Sequence, residues 1–240
     1  TQLSSAGDID GDGFDEIAVS AYYQHMGFFR QGVIWIYWGT PTPNAQVQVT
    51  PIGSLKSNGY FGKSLTGGAD VNGDGVPDLL TGYNNYRAEG NTKGAAWLIS
   101  GAYINTMPRW DLNNGLTPMT ATVQAHVPDD AINYSLIGDQ AGGEFGYSVA
   151  LVPSPNAGEP HWAAIGSRYG STNAYSVGGK AEVFRWENGR GFNLNPTVIM
   201  TNESGGKATY LGHTMEGGVN QPNLLVGSLY TYSLRFAQGA

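Results

Sequence analysis

Asp8-Ile9-Asp10-Gly11-Asp12-Gly13-Phe14-Asp15-Glu16 and Asp70-Val71-Asn72-Gly73-Asp74-Gly75-Val76-Pro77-Asp78 are two versions of one nine-residue pattern. Each places side-chain oxygens at positions 1, 3, 5 and 9, with a glycine at position 6. Alternation brings the first three oxygens to one side of a tightly turning backbone. The glycine permits the turn, the carbonyl of the seventh residue can add an oxygen, and the ninth residue closes the shell. An oxygen-only cage of this kind suits a hard cation of calcium size. A single Asp-Gly turn is commonplace, but two matches in register are not. The sequence therefore predicts two Ca²⁺ ions. Asp8, Asp10, Asp12, Phe14 and Glu16 hold one, and Asp70, Asn72, Asp74, Val76 and Asp78 hold the other.

The spacing also says which kind of loop this is. An EF-hand carries a bidentate Glu at position 12 and is flanked by helices. Position 12 here is Val19 in one loop and Thr81 in the other. The runs Ile17-Ala18-Val19 and Leu79-Leu80-Thr81 are short and apolar and read as buried strands. These are strand–loop–strand sites.

Composition narrows the class. The chain has 240 residues and 36 glycines, about twice ordinary usage, with no collagen period. That excess predicts many tight turns between short strands. A net charge of −7 offers no basic patch to neutralise phosphates, which argues against nucleic acid as a partner. Eight of the 19 acids lie in the two loops, so much of the acidity is metal-ligand charge. Cysteine is absent, which removes disulfides and thiol chemistry. No apolar run approaches a membrane span, and no signal peptide is visible. Loops of this kind fill at extracellular calcium levels, so a secreted or cell-surface location is expected.

Internal repeats organise the rest. Gly59-Tyr60-Phe61-Gly62-Lys63-Ser64-Leu65 leads into the second loop, and Glu144-Phe145-Gly146-Tyr147-Ser148-Val149-Ala150 repeats it. Tyr210-Leu211-Gly212-His213-Thr214-Met215 is a looser copy. Second strands follow at Leu79–Tyr83, Ala163–Ser167 and Leu224–Ser228, with Ile17–Ala21 in the first unit. Third strands are expected at Gly32–Tyr37, Gly94–Ile99, Gly179–Phe184 and Thr231–Phe236. Trp110-Asp111-Leu112 and Thr120–Ala125 read as outer-strand material with an extended connection. Almost no helix is expected. The approximate units are 1–58, 59–142, 143–208 and 209–240, within one domain.

This repeat resembles the FG-GAP repeat of integrin α-subunit β-propellers, over essentially the whole chain. Phe61-Gly62 and Phe145-Gly146 stand in the Phe-Gly place, and Gly82-Tyr83 and Gly166-Ser167 in the Gly-Ala-Pro place. The calcium motif of that family matches Asp8, Asp10, Asp12, Glu16 and Asp70, Asn72, Asp74, Asp78. The resemblance implies an all-β propeller of four-stranded antiparallel blades, with the metal loop joining the first two strands of a blade. About four blades are expected here, where the relatives build seven. It also implies an extracellular adhesion or binding module for protein or carbohydrate ligands, in which calcium stiffens the scaffold. The alternative is a non-catalytic propeller accessory to a secreted enzyme or toxin.

Departures from the pattern carry expectations too. The third loop, Val152–Pro160, lacks spaced carboxylates, and the fourth, Gly217–Asn223, has no acid, so neither is expected to hold metal. Thr1 aligns with Lys63, inside a repeat, which favours a piece of a larger ring whose other blades come from another segment or chain. His25, His126, His161 and His213 lack metal-ligand spacing, and no serine stands in a G-x-S-x-G, so no enzyme activity is expected. Trp35, Tyr37 and Trp38 crowd one strand, so some are expected to face away from the core. Trp110, Trp162, Trp186, Tyr230 and Tyr232 add further aromatics that pack between blades or line a carbohydrate site.

Overall fold

The apolar runs of the repeats become strands, and the glycine-rich pieces between them become turns. A computed structural model describes residues 1–42, 45–54, 56–112, 134–154, 159–170, 178–187, 190–201, 210–218 and 223–228. The first strands in chain order are β1 (Gln2–Gly7), β2 (Glu16–Ala21), β3 (Val33–Tyr37), β4 (Gln48–Gly53), β5 (Leu65–Ala69) and β6 (Asp78–Tyr83). A small hairpin of β7 (Arg87–Ala88) and β8 (Asn91–Thr92) precedes β9 (Ala95–Ile99). A one-turn helix, α1 (Gly101–Asn105), then leads to β10 (Trp110–Asp111) and β11 (Ser135–Ile137). The remainder comprises β12 (Phe145–Val152), β13 (Trp162–Ser167), β14 (Lys180–Phe184), a hairpin of β15 (Trp186–Glu187) and β16 (Gly191–Phe192), β17 (Val198–Thr201), β18 (Thr214–Gly217) and β19 (Leu224–Gly227).

All strand pairings within these sheets are antiparallel. The sheets are β1-β2-β3-β4-β10, β5-β6-β9-β11, β12-β13-β14-β17 and the pair β18-β19. The protein is thus all-β, in successive sheets consistent with propeller blades. The predicted second and third strands of the first three repeats are present, as is the second strand of the fourth. Thr120–Ala125 and Thr231–Phe236 lie outside the described residues. One strand departs from a four-stranded sheet. Trp110–Asp111 is an outer strand, but it pairs with β4 of the first sheet and makes that sheet five-stranded.

Core lies on both faces of the sheets. Ile34, Ile36 and Ile52 of the first sheet meet Leu79, Tyr83 and Trp97 of the second. Leu80 and Leu98, on the other face of the second sheet, meet Val149, Leu151 and Ile165 of the third. Ala150, Val152 and Val183 then pack with Met215 and Leu224 of the fourth. A strand buried on both sides loses polar alternation, which is why Asp78–Tyr83 and Ala95–Ile99 are buried at every position. The same geometry corrects the expectation for the crowded tryptophans. Trp38 is buried between the first two sheets, while Trp35 is buried on the opposite face against Met26, Val33 and Val49. Both indoles are paired, Trp35 Nε1 to Gln24 Oε1 at 3.0 Å and Trp38 Nε1 to Thr50 Oγ1 at 2.9 Å.

Each Phe-Gly corner is seated in the preceding sheet. Phe61 N donates to Gln31 O at 2.9 Å, Phe145 N to Lys93 O at 3.3 Å and Leu211 N to Gly178 O at 3.1 Å. The acceptors stand immediately before Gly32, Gly94 and Gly179, which open the third strands. At Gly94, with φ +81°, a Cβ would overlap the Phe145 carbonyl oxygen. Hydroxyls complete the joint: Ser64 Oγ donates to Gly146 O at 3.0 Å and Ser148 Oγ to Gly212 O at 2.7 Å. Gly94→Ala is therefore expected to cost at least about 2 kcal/mol, from left-handed strain plus overlap. Gly90→Ala shares the conformation, φ +80°, but meets nothing within 4 Å, and is expected to cost about half as much. Urea unfolding of the two variants separates the contact from the strain, and equal losses would show that the close approach is not needed.

Candidate metal centre

The two nine-residue loops occupy equivalent places, joining β1 to β2 and β5 to β6. Gly7 pairs with Glu16 and Ala69 with Asp78, and an irregularity precedes the loop in both strands. The first residue of each loop organises the turn. Asp8 accepts from Gly11 N at 2.8 Å, Asp12 N at 3.0 Å and Gly13 N at 3.0 Å. Asp70 accepts from Gly73 N at 2.7 Å and Gly75 N at 2.8 Å. Asp12 and Asp74 accept from the N–H of the seventh residues, Phe14 and Val76, both at 2.9 Å.

The ninth residues clamp the loops to the end of the third strands. Glu16 accepts from Ile9 N at 2.6 Å and from Gly39 N at 3.2 Å. Asp78 accepts from Val71 N at 2.8 Å and from Gly101 N at 3.1 Å, so the equivalent glycine serves in both sheets. Both acids are buried. Burial pushes the Asp78 carboxyl up to about 6, with Asp74 adding to the rise and the backbone donors opposing it. Burial also raises Glu16, opposed by the Ile9 and Gly39 N–H groups, while Asp10 and Asp8 add to the rise. A cation beside these groups would favour their ionised forms.

The loops differ in how they gather charge. Carboxylate oxygens of Asp8, Asp10 and Glu16 all lie within 4.8 Å of one another. Among the described residues this is the one such group of three acids or histidines. Asp12 stands outside it and is exposed. In the second loop the Asn72 amide donates to Asp74 Oδ2 at 2.9 Å and to Asp78 Oδ1 at 3.3 Å, bridging the acids. The corresponding turns of the third and fourth sheets include residues 155–158 and 219–222, which lie outside the described set.

A segment following β9 touches both loops. Ser100 Oγ donates to Asp74 Oδ2 at 3.1 Å, and Gly101 N to Asp78. Beyond α1, Arg109 Nη1 donates to Asp10 Oδ2 at 2.8 Å and Nη2 to Asn105 Oδ1 at 2.8 Å. The guanidinium carbon sits 3.4 Å from the centre of the Trp38 ring. Residues 100–111 thus run from the second loop to the first and end as β10 on the first sheet. Nothing near Asp10 in sequence signals Arg109, which lies 99 residues away. Arg109→Ala is expected to destabilise by about 1–3 kcal/mol through loss of the ion pair and the ring contact. Arg109→Lys, which keeps charge without the planar fork, should recover only part of that in a urea melt. An unchanged midpoint in Arg109→Ala would show that the strap is not anchored here.

Comparison with known families finds a match over the part of the chain that contains these loops. Residues 8–81, which hold both of them, match the FG-GAP-like repeat. Integrin alpha-5 of Xenopus laevis is 36% identical over 86 residues, 34% of this chain and 8% of that protein. Integrin alpha-7 of Rattus norvegicus is 40% identical over 84 residues, 33% of this chain and 7% of its own length. Integrin alpha-V of Gallus gallus is 38% identical over 84 residues, again 33% of this chain and 8% of the relative. The resemblance to integrin α FG-GAP repeats is therefore established over about a third of this chain. The matches span less than a tenth of these relatives.

Proposed function

We propose that the chain is a calcium-stiffened, non-catalytic propeller module that serves extracellular adhesion or recognition of protein or glycan ligands. The observation that carries this is the coincidence of the FG-GAP-like match with two geometrically equivalent acidic loops, one of which gathers three carboxylates within 4.8 Å. Ca²⁺ is held in the first loop by Asp8, Asp10, Asp12, Glu16 and the Phe14 carbonyl. The second ion takes Asp70, Asn72, Asp74, Asp78 and the Val76 carbonyl. The donors are all oxygen, which suits Ca²⁺ better than softer metals. Both sites sit at strand junctions with their ninth acids buried, so the ions brace the sheets. The repeats then form blades of a ring, with about four blades contributed by this chain and others by another segment or chain. No helix among the described residues is long and apolar enough to cross a membrane.

Stability should report the ions directly. Binding to the folded state at 100 times Kd adds about 2.7 kcal/mol per site, which at this chain length is on the order of 5–10 °C in Tm. EDTA should lower Tm by that amount or more, and added Ca²⁺ should restore it. Asp12→Ala and Asp74→Ala should each remove part of the calcium-dependent increment. A melting curve indifferent to EDTA and Ca²⁺ would contradict the proposal.

A further inference from the structure

The acidic loops occupy one end of the inner strands, and the opposite end is built differently. Gln2 opens β1, while Lys63, Tyr147 and His213 each follow the glycine of a corner, Gly62, Gly146 and Gly212. With Thr214 they line a cavity of about 220 Å³. Lys63, Tyr147 and His213 are half-buried, and Gln2 and Thr214 are exposed. The space is smaller than the roughly 300–1,000 Å³ of a small-molecule pocket and suits a single side chain.

Its polar groups favour negative charge. Lys63 Nζ lies 4.8 Å from the centre of the Tyr22 ring and 4.4 Å from that of Tyr147. It forms no ion pair among the described residues. Ring faces replace only part of the hydration that a half-buried ammonium gives up. Arg168 Nη1 donates to Tyr147 Oη at 3.2 Å, and the same guanidinium engages the neighbouring acid, Glu144, at 3.0 Å. Burial, then Arg168 and Lys63, hold the His213 imidazole below its usual range. His213 Nε2 lies 3.3 Å from Tyr147 Oη. Glu216 is two residues further along β18 and does not line the cavity. The loop acids begin six or seven residues along β1 and β5, about 20 Å away, well beyond a screening length of about 8 Å. The net charge of −7 therefore does not govern this end.

We propose that this cavity takes the carboxylate side chain of an acidic segment in a protein partner, with Lys63 as its counter-charge. The Gln2 amide and the Thr214 hydroxyl add uncharged donors among the lining groups. A surface for the rest of the partner adjoins. Tyr22 packs on Tyr23 at 4.6 Å, and Tyr23 on Tyr60 at 5.1 Å. Tyr23 and Phe29 are 55% and 53% exposed, and the Arg30 guanidinium sits 5.7 and 5.0 Å from their ring centres. Aromatic rings and arginine are what protein interfaces enrich, which favours a protein over a free small acid. The inference rests on the binding-module reading above and specifies the chemistry of its ligand.

Fluorescence anisotropy at low salt tests it with three labelled peptides, in which Gly alternates with Glu, Gln or Lys. The Glu peptide should bind, the Gln peptide about tenfold more weakly, and added salt should release it. Lys63→Gln should weaken the Glu peptide by about tenfold and Lys63→Arg by less, while Lys56→Gln, outside the cavity, should match wild type. Gln2→Glu, at an exposed position, should also weaken binding, and it decides the matter if Lys63→Gln disturbs the fold. The idea is overturned if the Glu peptide does not bind, or if Lys63→Gln and Gln2→Glu bind it as wild type does. Equal losses in Lys56→Gln and Lys63→Gln would overturn it too, as general charge attraction. Preference for the Gln or Lys peptide would remove the carboxylate site and leave the binding module. A calcium titration of Tm on the same samples tests the scaffold separately, and an intact response without peptide binding removes the carboxylate site alone.

Discussion

The structure depends on one backbone contact, made three times. The Phe-Gly corner that starts a repeat lies against the glycine that starts the third strand of the repeat before it. Gly32 receives Phe61, Gly94 receives Phe145 and Gly179 receives Leu211. Only a residue without a Cβ allows that approach, and the positive φ of these glycines suits the same residue. Once seated, the corner aims Phe61 into the space between sheets, where it meets Tyr83 and Trp97 edge-on or tilted at 5.7 and 5.6 Å. The two-sided burial of β3, β6, β9, β13 and β14 follows, because each sheet is held at packing distance from its neighbour.

The acidic loops lie at the other end of the same inner strands. Concentrating eight of 19 acids in two hairpin turns is unfavourable without a counter-charge. The chain supplies part of it: Arg109 reaches Asp10, while backbone donors from Gly39 and Gly101 meet the buried ninth acids. The proposed Ca²⁺ ions supply the rest. The strap from Ser100 to Asp111 links loops of adjacent sheets, so loss of either ion would be felt by both.

What could be read from the sequence was local. The loops, the Phe-Gly corners and most second and third strands follow from spacings of nine residues or fewer. The destination of Trp110–Asp111 could not be read that way, since pairing with β4 depends on how two sheets sit together. The Arg109–Asp10 pair is hidden for the same reason. The tryptophans misled because alternation along a strand usually separates core from solvent, whereas here both faces are core. The indoles of Trp162 and Trp186 look like any others in the sequence, and only their surroundings show that neither N–H meets an acceptor among the described residues.

Anomalous diffraction from crystals grown with Ca²⁺ tests the central claim most directly. The account predicts two peaks, one among Asp8, Asp10 and Glu16 and one among Asp70, Asp74 and Asp78, with none at the turn between β12 and β13. Empty acidic loops at millimolar Ca²⁺, or an ion bound at that third turn instead, would contradict it.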